Sequence, residues 1–221
     1  MVNLEHIREN IILKNGIYYF DFTASGLAYK PIEDEIAKIL QTYANTHSIS
    51  SSNAYKTAQT YEDSRRELKS LLGLDESFYL FTCGNGATGA IKKFQEILGI
   101  YAPPTLKKRY ALKPDENSPL VVLGPYEHHS NEISFRQALC DVERIRLDKN
   151  GGIDFNHLEQ ILRINVGREI IATFSVASNV TGVLSDYRKI YTLIKSYGGI
   201  VAFDAASFSA YGNIDCDYFD A

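Results

Sequence analysis

Gly199-Ile200-Val201-Ala202-Phe203-Asp204-Ala205-Ala206-Ser207 is the stretch that decides how this chain folds. Ile200–Phe203 is apolar without alternation and follows a segment of helical period, so it reads as a short parallel strand buried on both faces. Asp204 arrives where that strand ends. Open α/β sheets bind their ligands beyond the C-terminal edge of the strands, so this carboxylate is placed to hold a cationic group.

Upstream the same pattern repeats. Phe78–Thr82, Leu120–Gly124, Arg144–Leu147 and Glu169–Phe174 read as strands, and Gly89–Leu98, Glu132–Leu139, Phe155–Ile164 and Asp186–Ser196 as the helices between them. This alternation predicts an α/β fold, a mostly parallel sheet with helices on both faces. Pro103–Pro119 reads as a polar loop. Residues 1–70 read as a separate, mainly helical N-terminal segment, leaving 71–221 for the sheet domain. Within the first segment Ile17–Phe22 is strand-like and Thr23–Gly26 a turn. Pro31 opens a helix to about Tyr43, and Tyr55–Leu72 forms a second, with Tyr61, Leu68 and Leu72 spaced for one buried face.

Composition narrows the function classes. With 221 residues, 45% hydrophobic and 23% charged, the chain is long enough for one sizeable core and ordinary for a globular protein. The net charge of −4 and a longest basic run of Lys107-Lys108-Arg109 argue against a nucleic-acid footprint. No apolar run reaches membrane-spanning length, and Met1-Val2-Asn3-Leu4-Glu5 does not begin a signal peptide. Cys83, Cys140 and Cys216 are far apart and form no CxxC pair. The expectation is a cytoplasmic protein with reduced thiols and no membrane partner.

Three further strand ends carry polar groups. Cys83-Gly84-Asn85-Gly86-Ala87-Thr88-Gly89 is a glycine-rich turn into a helix, where free backbone N–H groups and the helix dipole attract phosphate. Gly84–Gly89 also matches the dinucleotide pattern GxGxxG, but no strand ending in an acidic residue follows at the usual interval. Glu127-His128-His129-Ser130-Asn131 sets an imidazole beyond the next strand. It makes a poor metal site, because no His-x-x-x-His or third ligand accompanies it. Ser178-Asn179-Val180-Thr181-Gly182 reads either as a polar turn or as an amide aimed into the same crevice. Thr88, His128, Asn179 and Asp204 converging on one edge favour a ligand site over four unrelated turns.

In this order and spacing the motifs resemble fold type I pyridoxal-phosphate enzymes, specifically the class V aminotransferase and cysteine desulfurase family. Phe20-Asp21-Phe22-Thr23-Ala24-Ser25 is similar to the family's Asp-x-Ala-Ala-Ser/Thr turn, and Asn45-Thr46-His47-Ser48 to its Asn/His stretch. Gly86-Ala87-Thr88 matches the phosphate-cup Gly-Thr-Thr with Ala87 replacing a threonine, and Glu127–Asn131 matches Glu-His-His-Ala-Asn. Ser178–Gly182 matches Ser-Asn-Val-x-Gly, and Asp204–Ser207 matches Asp-Ala/Gly-Ala-Gln.

The resemblance implies a pyridoxal 5'-phosphate (PLP) cofactor, an amino acid substrate with cysteine favoured, and a homodimer. Gly86, Ala87 and Thr88 would hold the phosphate. His128 would stack on the pyridine ring and assist proton transfer, Asn179 would meet its 3-oxygen, and Asp204 its N–H⁺. Ser207 stands where the family has glutamine, and Ala24 and Ser25 would line the substrate side. The family's Schiff-base lysine, in Ser-x-His-Lys, is absent from this sequence, which ends at Ala221 on the approach to it. The reading is therefore of an N-terminal part, truncated before the last strands and the C-terminal domain, and by itself inactive. A class V aminotransferase or other PLP lyase, a non-catalytic PLP-binding pseudoenzyme, and a nucleotide-dependent oxidoreductase built on Gly84–Gly89 stand as alternatives.

Overall fold

The computed structural model describes residues 3–22 and 24–221; Met1 and Val2, at the N-terminal start, and Thr23, in the expected turn, lie outside the described residues. Two compact units divide the chain, Met1–Phe78 and Tyr79–Ala221. No described helix is long and apolar enough to cross a membrane.

The first unit holds α1 (Leu4–Asn10), α2 (Lys30–Leu40) and α3 (Ser52–Leu71). Asn3 starts α1 by accepting the N–H groups of Glu5 and His6, and Ser51 starts α3 by accepting that of Ala54. Pro31 sits in the first turn of α2, as its fixed φ favours. Two expectations fail here. Ile17–Phe22 forms no strand, and Tyr18 and Phe20 stand 84% and 91% exposed, because the segment lies in no described ladder. Tyr61, Leu68 and Leu72 are 39–41% exposed, so α3 does not bury the face its spacing predicts. Periodicity shows which side of a helix is apolar and is silent about what covers it.

The second unit contains α4 (Gly86–Ile97), α5 (Pro104–Tyr110), β1 (Leu120–Leu123), α6 (His129–Arg136), β2 (Asp141–Arg144), α7 (Phe155–Ile164), β3 (Ile170–Ser175), α8 (Tyr187–Ser196) and β4 (Ile200–Asp204). The strands run parallel in the order β2-β1-β3-β4, with Leu120 opposite Ile170 and Ser175 opposite Asp204. Side-chain alternation splits the sheet between two layers. Leu120, Val122, Ile170, Ala172, Phe174 and Val201 pack against α7 and α8 through Leu158, Ile161, Leu162, Ile190 and Ile194. Val121, Leu123 and Ile171 face the other way, against Phe135 of α6 and Ile91 and Phe94 of α4. Ile190 and Ile194 are fully buried, each contributing about 1.5–3 kcal/mol relative to exposure. The α/β fold with helices on both faces is thus as expected.

The boundaries moved in informative ways. Phe78–Thr82 lies outside the sheet: Tyr79 and Phe81 are 83% and 61% exposed, and none of the four strands pairs with them. β2 occupies Asp141–Arg144, three residues before the expected strand, because register with β1 sets Leu120 against Asp141. α6 runs His129–Arg136 where Glu132–Leu139 was expected, since His128 itself caps it. Pro103–Pro119 contains α5, which ends at Ala111 in a left-handed conformation (φ +51°).

Beyond β4, Ala221 N–H donates to the Val201 carbonyl and Phe203 N–H donates to the Ala221 carbonyl. One residue bonding to both neighbours of Ala202 is the parallel pattern, so Ala221 lies along the outer edge of β4 in the same direction as the sheet.

Sheet order then fixes a crevice. From β1 the chain crosses to β2 on one side; from β3 it crosses to β4 on the other. α6 and α8, which follow β1 and β3, cover opposite faces. Between the C-terminal ends of β1 and β3 the departing chains separate, and such switch points are where open α/β sheets take their ligands.

Candidate functional site

The base of this crevice is a buried polar network. Glu127, just past β1, is 8% exposed, and its Oε1 accepts the Ser175 N–H at 2.8 Å. Its Oε2 is 2.8 Å from Ser175 Oγ and accepts from Asn131 Nδ2 at 2.6 Å. Asn131, fully buried on α6, accepts in turn from Thr173 Oγ1 at 2.9 Å. Ser185 Oγ donates to the Ser175 carbonyl at 2.6 Å, and Tyr126 OH meets Ser185 Oγ at 3.2 Å. Burial pushes the Glu127 carboxyl above the ordinary carboxylate range, the Ser175 and Asn131 donors pull it back, and the charge of Asp204 pushes it up further. Gly124 makes room for it: a Cβ there would overlap Glu127 Oε1 and come within 2.9 Å of Phe174 Cδ1.

His128 follows directly, exposed, at the N-cap of α6. Its Nδ1 accepts the Ser130 N–H at 3.2 Å and lies 2.6 Å from Ser130 Oγ. The His129 ring centroid is 6.1 Å away, so the two imidazoles address different surroundings.

Asp204 ends β4, partly buried, with Oδ1 accepting the Ala206 N–H at 3.0 Å. Because Ser175 and Asp204 are register partners, their side chains rise from the same face of the sheet. Ser175 Oγ reaches Glu127, Thr173 reaches Asn131, and Ile171 packs with α4 and α6. Asp204 therefore belongs to the α4/α6 face, where His128 also stands. Ser207 is partly buried in the turn that follows.

The N-terminus of α4 serves that same face. Gly84 (φ +61°) and Gly86 (φ +65°) adopt backbone conformations that L side chains rarely enter. A Cβ on Gly84 would lie 2.8 Å from Gly89 Cα, so the turn closes this tightly only with glycine. Asn85, the N-cap, makes no side-chain capping bond, which leaves the first N–H groups of α4, those of Ala87 and Thr88 among them, without the usual cap. A cavity of about 390 Å³ beside α4 is lined by Thr88, Lys92, Gln95, Tyr101 and Ser134; it touches Thr88 and none of His128, Asn179 or Asp204.

Asn179 is exposed at the tip of a turn. Ser178 Oγ accepts the Val180 and Thr181 N–H groups, and Gly182 N–H closes back on the Ser178 carbonyl at 2.9 Å. Ala24 and Ser25 lie in the first unit on a turn held by Tyr19, whose OH donates to the Ser25 carbonyl at 2.7 Å. The motif reading assigned no role to Thr173 and Ser175, and none to Glu127 and Asn131 within their motif. The available signal was a glycine three residues before a glutamate and an amide four residues after it.

The aminotransferase class-V family model matches residues 18–221. A probable cysteine desulfurase of Pyrococcus abyssi is 26% identical over 216 residues, covering 96% of this chain and 49% of that protein. Among solved structures, the apo cysteine desulfurase of Thermococcus onnurineus superposes with a TM-score of 0.74 at 24% identity, covering 93% of this chain and 48% of that one. A NifS-like protein of Rickettsia africae gives a TM-score of 0.70 at 19% identity, covering 90% and 50%. The chain spans about half the length of these relatives.

Proposed function

The chain belongs to the aminotransferase class-V family, and from that premise we propose that the complete protein is a PLP-dependent, cysteine desulfurase-like enzyme. One observation carries the site assignment. Asp204, His128 and the uncapped N-terminus of α4 serve a single sheet face at the switch point.

These residues suit PLP. The N–H groups of Ala87 and Thr88, with the dipole of a 12-residue helix behind them, bind its phosphate, and Thr88 adds a hydroxyl. Asp204 holds a proton on the ring nitrogen through a charge-assisted hydrogen bond. His128 would stack on the ring, and Nε2 is the nitrogen left for proton transfer, because Nδ1 is engaged by Ser130. Asn179 would orient the ring through its 3-oxygen, and Ser207, three residues after Asp204, stands in place of the family's glutamine. When bound, PLP supplies the electron sink for the substrate's α-carbon, and the protonated ring nitrogen deepens that sink. Cytoplasmic location and homodimerisation belong to the same reading.

The reaction is tested by supplying the complete protein with PLP, cysteine and a thiol reductant. Alanine and sulfide in equal amounts are expected. Transfer of the amino group to a keto acid without sulfide would assign it to the aminotransferase branch instead.

A further inference from the structure

Glu127 carries out none of the steps above, yet it is the most heavily engaged side chain in the crevice. We propose that Glu127 is the positioning residue of this site: its buried carboxylate clamps the ends of β1 and β3 and sets a second negative charge behind Asp204, selecting a ligand with a cationic ring.

Three observations support the clamp. Both carboxylate oxygens are used, one by the Ser175 backbone and the other by Ser175 Oγ and Asn131 Nδ2. Asn131 Nδ2 donates to Oε2 at 2.6 Å from the helix that follows β1. Gly124 is kept free of a side chain where Glu127 lies. Through Ser175 the carboxylate is tied to the β3 residue directly opposite Asp204, while the peptide bond ties it to His128. The two groups that address the ring thus share one anchor.

The charge is the second half of the argument. Ser175 and Asp204 project from one face of adjacent strands, about 4.8 Å apart, so the carboxylate bonded to Ser175 and that of Asp204 are close neighbours, and the charge of Asp204 disfavours ionisation of Glu127. The Arg144 guanidinium on β2 is engaged elsewhere, donating to the Pro125 carbonyl and approaching Glu132 at 3.7 Å. Two carboxylates of like charge, one of them buried, are relieved by a cation bound between His128 and Asp204.

The inference rests on the PLP reading, and the test separates the two. Glu127→Gln keeps the shape: its amide oxygen still accepts the Ser175 N–H, while the Ser175 hydroxyl and the Asn131 amide both turn to accept from the new NH₂. The variant and the wild type are titrated with PLP and with its 1-deaza analogue, in which C–H replaces the ring nitrogen. The expected result is PLP binding weakened about tenfold in Glu127→Gln, deaza-analogue binding unchanged, and a thermal midpoint no lower than wild type. Equal weakening toward both ligands would reduce Glu127 to packing and overturn the charge role. No weakening toward either would overturn the proposal altogether. Wild type that binds neither ligand would instead overturn the PLP reading.

Discussion

In the proposed site His128 would lie against a ring and handle a proton, and its hydrogen bonds set which nitrogen is available. A backbone N–H only donates, so the Ser130 N–H at 3.2 Å requires a bare lone pair on Nδ1. The Ser130 hydroxyl at 2.6 Å then donates to the same atom. The neutral imidazole is therefore the Nε2–H tautomer, and ¹⁵N chemical shifts of labelled histidine at a pH where the ring is neutral are expected to show it. Ser130→Ala leaves the backbone donor alone, and the Nδ1–H form is expected to gain population. An Nδ1–H tautomer in the wild type would contradict the assignment. Ser130 replaces the alanine of the family's Glu-His-His-Ala-Asn motif, and the motif gives no sign of the contact that orients the histidine. His128, Asn179 and Asp204 were legible as residue types at strand ends. The Glu127 network was not, because a buried carboxylate is recognised by its donors, and Ser175 lies 48 residues away in sequence.

At the scale of elements, the turns decide the site. Gly124 lets the chain leaving β1 fold Glu127 back over β3, and Gly124→Ala drives a methyl group into Glu127 Oε1 and toward Phe174. We expect a loss of about 1–3 kcal/mol, the usual range for overpacking, measured as a shift in the urea midpoint at constant slope. A change within about 0.5 kcal/mol, as for an unconstrained surface position, would mean that the β1 turn relaxes freely. Strand and helix identities were readable wherever the core is continuous: β4 and α7 occupy the expected residues, and α8 starts one residue later, with Asp186 as its N-cap. They were misread where the outcome depends on a partner outside the segment. Ile17–Phe22 and Phe78–Thr82 have strand-like composition, and no described ladder takes them up. α5 was hidden because Pro103-Pro104 suggests a loop, although proline also suits a first helical turn.

Over the whole molecule, four parallel strands whose connections diverge between β1 and β3 make a switch point there, the place where open α/β sheets take their ligands. The sheet's polarity was legible from unbroken apolar runs. The strand order was not, since local patterns carry no information about which strands become neighbours. The central claim is that this crevice is built for PLP, with Asp204 as the partner of its ring nitrogen. It is tested most directly by titrating PLP into wild type and Asp204→Asn and following cofactor absorbance, with NAD as the competing ligand. The account predicts saturable PLP binding, no displacement by NAD, and a loss in the variant of about 1.5–3 kcal/mol, the worth of a hydrogen bond to a charged group. Saturable NAD binding without a PLP response, or PLP binding that ignores the Asp204 substitution, would contradict it.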